Sequence, residues 1–295
     1  MLKQKIKLMT DSVSDISKDR AETLGIRMLY LPITVEGKAL REELDFTKEE
    51  FYQMIDNAKE YPSTAQVTPF EILEAYEQTA AEGYTDLIYV TIGAGGSGTY
   101  ANAAMAREQF YEEHPVSEDR LKIHLVDGRN YTATYGYAVT EAAKKLARGA
   151  SVPELIDYLE DWTSHAGLYF VPMTLKYVKR SGRVSAAAAF AGELLGLKPF
   201  CRICNCKSSV IQKIRGEQNI IPKMVEVVKA DMQPHSPYLV MQGADTEIAK
   251  EFGAALTKAL GYPPACYWSI GAAICCNAGP HVFGFVIKRK EADTE

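Results

Sequence analysis

The stretch TIGAGGSGTYANA, residues 91–103, decides how the chain is read. It carries the most apolar run of the first half, residues 87–92, directly into a glycine-crowded turn and then into a helix-prone segment. Gly93, Gly95, Gly96 and Gly98 permit positive φ and leave room for a close approach to the backbone, and Ser97 or Thr99 is placed to cap the helix that follows. A helix N-terminus entered this way offers unpaired N–H groups and a positive dipole end, so a small carboxylate or phosphate is the expected occupant, with a plain tight turn as the alternative. Gly93, Gly95 and Gly98 also fit the G-x-G-x-x-G dinucleotide fingerprint. The acid that ends the next strand, Asp127, stands farther on than the ~20 residues that fingerprint requires, which puts a nicotinamide or flavin behind the small anion.

Outward from this loop, β and α signals alternate. A strand at 5–10 stops at Asp11, Ser12, Ser14 and Asp15, which suit capping of a helix running to about residue 24. A second strand is expected over 27–35, and a helix over 47–58 from the capping box Thr47 and Glu50 and the apolar spacing of Phe51, Met54 and Ile55. In YPSTAQVTPFEI (61–72) two prolines bracket a stiff loop bearing Ser63, Thr64 and Gln66, and Thr68 with Pro69 opens a helix over 70–82. The helix at 99–110, the strand at 123–126, a loop rich in hydroxyls (Tyr131, Thr132, Thr134) with a helix to 148, and a helix at 153–161 complete a parallel sheet covered by helices.

The texture changes near residue 167. GLYFVPMTL reads as a strand, KYVKRSGRVS as a basic turn, residues 185–197 as an Ala-rich helix with Phe190, Leu194, Leu195 and Leu197, and PFCRICNCKSSVIQKI as a hairpin turning at Asn205 and Cys206. Helices at 222–229 and 245–260 and strands at 238–242, 266–270 and 281–288 follow. The expected fold is two-domain α/β, with residues 1–165 built on a parallel sheet and residues 166–295 on a mixed or antiparallel one. The small side chains of the Ala-rich helix either pack a core or leave an apolar slot between the domains for a long ligand.

Composition bounds the function. A chain of 295 residues has length for two domains, and 47% hydrophobic residues with a net charge of −5 describe a globular protein without a nucleic-acid surface. Lys179, Arg180 and Arg183 form one local basic knot. The N-terminus lacks a signal peptide's apolar core, and no run reaches the ~18 apolar residues of a membrane span, so a cytoplasmic location is expected. The six cysteines read as reduced thiols. Cys201 and Cys204 fall on opposite faces of a strand, which argues against a metal, and none is expected. A hydrolase or transferase with Ser97 as nucleophile would need a base, which the placement of the five histidines (114, 124, 165, 235, 281) does not supply from sequence. No G-x-x-x-x-G-K-[ST] loop is present for phosphoryl transfer.

Five segments in this order resemble the DegV family of bacterial fatty-acid-binding proteins. They are TDSVSDI (10–16), PSTAQ (62–66), GGSGTYANA (95–103), TLKYVKRSGRVS (174–185) and NAGPHVFG (277–284), spread over essentially the whole chain. The resemblance implies a carrier without a cofactor, the acyl-carrying subunit of a fatty acid kinase. Such a carrier takes a long-chain fatty acid through transient contact with a membrane surface, holds it between the domains with the acyl chain in the second, and presents its carboxylate to a separate ATP-dependent kinase. It further implies Thr64 and Ser97 as carboxylate ligands, with Gly96 and Asn277 in the head-group shell. Lys179, Arg180, Gly182 and Arg183 would lie near the head group or on the kinase-facing surface. Asn277 stands where the family has histidine and His281 where it has glycine, while Ala65 and Gly96 replace serine and leucine. An amide donates a hydrogen bond but carries no proton charge, so a role for imidazolium at 277 is lost, and His281 is a substitute only if it points inward.

Overall fold

The structure, a computed structural model, describes residues 4–114, 120–189 and 196–292. The first half supplies strands β1 (Ile6–Asp11), β2 (Arg27–Leu29), β3 (Pro32–Val35), β4 (Lys38–Arg41), β5 (Ser63–Thr64), β6 (Asp86–Thr91) and β7 (Lys122–Asp127). Its helices are α1 (Lys18–Thr23), α2 (Lys48–Asn57), α3 (Pro69–Ala81), α4 (Thr99–Glu113), α5 (Ala133–Ala147) and α6 (Val152–His165). β1, β2, β6 and β7 form a parallel sheet in the order β2-β1-β6-β7, with β6 buried along its whole length. α2 starts at the capping box of Thr47 and Glu50, and α3 at a second one made by Thr68 and Glu71 with Pro69 in the first turn.

The single strand expected over 27–35 is two. The chain leaves the parallel sheet after Leu29, and β3 pairs antiparallel with β4 and β5 in a small separate sheet. Pro32 has no N–H to give a ladder, and its carbonyl instead accepts from Ala65 N at 3.0 Å, which fixes the PSTAQ segment against β3.

The second half builds one six-stranded mixed sheet from β8 (Ala166–Pro172), β9 (Leu197–Cys204), β10 (Lys207–Arg215), β11 (Tyr238–Gln242), β12 (Cys266–Ser269) and β13 (Val282–Lys288), in the order β10-β9-β8-β13-β11-β12. Only β11 and β12 run parallel. Helices α7 (Ser185–Ala189), α8 (Ile220–Asp231), α9 (Thr246–Leu260) and α10 (Ala272–Ala278) complete the chain. Leu197, expected at the end of the Ala-rich helix, opens β9 instead, and Phe190, Leu194 and Leu195 lie outside the described residues. α10 replaces the plain connection expected between the last two strands.

Strand alternation splits this sheet into two faces. Tyr169, Val171, Phe200, Tyr238, Val240, Phe283, Phe285 and Ile287 pack with α8 and α9 in one cluster. Leu168, Phe170, Cys201, Ile203, Leu239, Met241, Val282 and Val286 face the first half of the chain and join its core.

Candidate functional site

Between the inner face of the six-stranded sheet and the ends of the parallel strands lies a cavity of about 380 Å³. Its body is apolar, walled by residues such as Val13, Leu31, Phe170, Ile203, Met241 and Ile274. Its polar end gathers Thr64, Gln66, Ser97, Tyr131, Arg183 and Asn277. Thr64, Gly96, Ser97 and Asn277, far apart in sequence, thus meet at one place.

The glycine loop makes this possible in a way different from the expectation. None of Gly93, Gly95, Gly96 and Gly98 has positive φ. They are glycines because neighbours crowd them: a Cβ on Gly96 would stand 2.4 Å from the Tyr131 ring and one on Gly98 would stand 2.1 Å from the Gln66 amide oxygen. A Cβ on Gly93 would meet the Cys206 sulfur at 2.4 Å. Cys206 is the second residue of the β9–β10 turn, where it and Asn205 take positive φ of 57° and 45°. The glycines therefore admit the hairpin tip of the second sheet and the side chains that line the cavity. The acid after β7 is also spent locally, since Asp127 Oδ1 accepts from Ala94 N at 2.9 Å and Arg129 N at 2.8 Å.

The position before α4 is Gly98, which makes no side-chain cap. Ser97 Oγ accepts from Thr99 N at 3.3 Å and shares a hydrogen bond of 3.0 Å with the Thr99 hydroxyl. Thr64 sits on β5, and nothing among the described residues bonds its hydroxyl, which leaves it a free donor at the cavity. Arg183 Nε donates to the Gly96 carbonyl at 3.2 Å, so the basic turn is tied to the glycine loop. Ser181 links the remaining pieces: its hydroxyl donates to Asn277 Oδ1 at 2.9 Å and accepts from Arg183 N at 3.1 Å. Asn277, in the last turn of α10, uses its Nδ2 on the Ala273 carbonyl at 2.9 Å.

Lys179 and Arg180 do not line the cavity. Both are exposed beside it, with the Arg180 guanidinium 4.3 Å from the Tyr61 ring centre. His281 points away, its Nδ1 2.7 Å from Asp245 and its Nε2 3.1 Å from Asp56, and these carboxylates hold its pKa above the ordinary value. Asp11, expected from sequence to help cap the helix running to about residue 24, instead caps a single 3-10 turn over Ser12–Ser14 through Val13 N at 3.1 Å, and that helix, α1, begins after Ser17. It also accepts from Ile92 N at 2.6 Å and from the Tyr135 hydroxyl at 2.6 Å, and burial lifts its pKa to about 6. Burial pushes the Cys206 thiol up to about 12 and the Tyr131 phenol above its usual value, so both stay neutral.

Among the described residues that line the cavity, Arg183 is the one charged group, and none is a histidine, a carboxylate or a thiol. His114, His124, His165 and His281 are each engaged with an acid elsewhere. A nucleophilic role for Ser97 finds no base among the described residues that line the cavity. Among the described residues no group of histidine, cysteine and acidic side chains is placed to hold a metal, and no helix is long and apolar enough to cross a membrane.

Sequence and structure comparisons agree on the relatives. Residues 5–290 match a family model described as an uncharacterised protein of the DegV family. A DegV domain-containing protein of Caldanaerobacter subterraneus is 29% identical over 290 residues, 97% of this chain and all of the relative. Another from Clostridium perfringens is 30% identical over 77% of this chain and 78% of its own. A Thermus thermophilus DegV family protein described by its fatty acid binding superposes with a TM-score of 0.82 at 26% identity, covering 96% of this chain and 99% of that one. The fatty-acid-binding DegV family protein of Streptococcus agalactiae gives 0.83 at 25% identity over 98% and 100%. A stearic-acid-binding protein of Eubacterium ventriosum, 23% identical over 97% and 98%, shares the fold with a TM-score of 0.86. This chain belongs to the DegV family.

Proposed function

We propose that the protein is a carrier that buries a long-chain fatty acid in the cavity between its two halves, residues 1–165 and 166–295, with the carboxylate at the polar end. The observation that carries this reading is the cavity's asymmetry: an apolar body closed at one end by hydroxyls, two amides and a single cation. An amphiphilic anion matches that distribution, whereas a dinucleotide or a sugar would leave its polar groups unpaired against the apolar walls. Thr64 and Ser97 donate to the carboxylate, Arg183 supplies the compensating charge, and Asn277 completes the shell. Burial of the acyl chain drives binding at about 0.8 kcal/mol per methylene, on the order of 12 kcal/mol gross for a long chain before ordering costs. Two DegV relatives at or above a quarter identity are described as fatty-acid-binding, which supports the ligand class.

The carrier presents the carboxylate to a separate ATP-dependent kinase, with Lys179 and Arg180 on the exposed side of the basic turn as the docking contacts, and loads through transient contact with a membrane surface. Titration with a fluorescent fatty acid tests the site. Thr64→Ala and Ser97→Ala should each weaken binding by about 1–3 kcal/mol, because a charge-assisted bond is left unmade. Unchanged affinity in both variants overturns the placement of the head group.

A further inference from the structure

The cavity wall α10 is held at its start by two acids that the site itself does not use. Asp15 and Glu42 are 4% and 2% exposed, and both close on Gly271, the residue before α10. Asp15 Oδ1 lies 2.6 Å, and the Glu42 oxygens 2.4 and 2.6 Å, from the point a Cβ on Gly271 would occupy. One oxygen of each acid is satisfied: the Thr132 hydroxyl donates to Asp15 Oδ2, and Ala272 N donates to Glu42 Oε2 at 3.0 Å. The other two, Asp15 Oδ1 and Glu42 Oε1, are buried and have no hydrogen-bond partner. Ionised carboxylates are acceptors only, and two like charges buried against one glycine repel, so the pair favours keeping a proton.

We propose that the Asp15–Glu42 pair holds one proton at the start of α10, and that its loss, which sets two like charges against Gly271, loosens the seat of the cavity wall on the first half of the chain. The inference deepens the carrier reading by naming the residues that position Asn277, and it rests on that reading only for its effect on the ligand.

The surroundings agree. Lys48, buried on α2, spends its ammonium on the carbonyls of Asp15 at 2.7 Å and Ser269 at 3.3 Å, and its charge offsets one carboxylate, not two. Asp11 on β1 and Glu43 beside Glu42 add negative charge that favours keeping the proton. The Tyr30, Tyr52 and Tyr135 phenols and the Cys275 and Cys276 thiols facing the pair are themselves shifted up and stay neutral. Burial is the main cause that lifts Asp15 to about 7 and Glu42 to about 8. In the unfolded chain both acids ionise near 4, so the folded state binds the extra proton and its stabilisation declines as pH rises, until the proton leaves to solvent near pH 8.

The test follows two readouts from pH 6 to 9: amide exchange of residues 272–278 in ligand-free protein, corrected for intrinsic rates, and affinity for a fluorescent fatty acid. In the unmodified protein, protection of this segment should fall by about tenfold relative to β6, and affinity should fall with it. Glu42→Gln should abolish both slopes, because the pair can then never carry two negative charges, while the amide oxygen still accepts from Ala272 N. Asp15→Asn should do the same and serves if Glu42→Gln does not fold. Flat protection in the unmodified protein, or the same slope in either variant, overturns the pair's proton. Sloping protection with no fatty acid bound at any pH leaves the pair's proton standing and overturns the carrier reading instead.

Discussion

The two faces of the six-stranded sheet use the same strands and alternate residues, yet one is solid and the other borders a cavity. On the outer face Phe285 stacks on Tyr169 at 4.7 Å and meets Phe252 at 5.7 Å and Phe200 at 6.2 Å, in a packed aromatic layer under α8 and α9. On the inner face Phe170, Ile203, Met241 and Val282 look onto open space. The backbone there is held off by ties at the rim. The Cys206 hairpin tip seats on the glycine loop, Trp268 Nε1 donates to the Ser14 carbonyl at 3.2 Å, and Tyr177 donates to the Ile55 carbonyl at 3.3 Å. Small residues, Gly96, Gly98, Ala273, Ala278 and Gly284, line the space between the ties. The void is therefore a product of where the halves are pinned, not of poor side-chain choice, since the same strands pack densely on their other face.

The contrast is broken most severely at Phe285. Phe285→Ala removes the centre of the packed layer and should cost about 3–5 kcal/mol in denaturant unfolding, while leaving the inner wall in place. Met241→Ala, on the hollow face, should fall at the low end of the range for such truncations, about 2 kcal/mol, because part of its side chain already faces a void. Equal losses would mean that the inner face is packed after all. The Thr64 and Ser97 hydroxyls proposed for the head group come next, with the loss of about 1–3 kcal/mol in affinity given above.

The smallest effect is at His281, which ties β13 to α2 and α9 through partly exposed acids. Its pKa is raised, chiefly by the Asp245 hydrogen bond, so its contribution is complete below the ordinary imidazole value and lost as pH rises through the raised one. His281→Ala should lower thermal stability slightly at pH 5.5 and not at pH 8.5, with fatty acid affinity unchanged at either. A loss of affinity would place the imidazole in the head-group shell.

Legibility from sequence followed the range of the interactions. The parallel sheet, the capping box at Thr47 and Glu50 and the hairpin turn at Asn205 and Cys206 carry local sequence signals and could be read directly. The glycine loop was legible as a place of close approach, but the approaching groups, Tyr131, Gln66 and Cys206, come from three distant segments, and positive φ is the commoner local reason for glycine. The separation of β3 from β2 is decided by where Pro32 and Ala65 meet. α10 was missed because seven residues, AAICCNA, are too few to show a helical period and two are thiols of low helix propensity. Glu42 gave no signal: its burial depends on α10 arriving above it. That Thr64, Ser97 and Asn277 line one cavity was anticipated only through motif resemblance, since Thr64 and Ser97 alone look like turn and cap residues.

The central claim is that the hollow face holds a fatty acid, and native mass spectrometry of the protein purified from cells addresses it most directly. The unmodified protein should carry an added mass equal to a long-chain fatty acid, and Ala273→Phe, which fills the cavity from α10, should emerge without it while remaining folded. A protein that shows only its bare mass, and gains none on incubation with a long-chain fatty acid, would contradict the account.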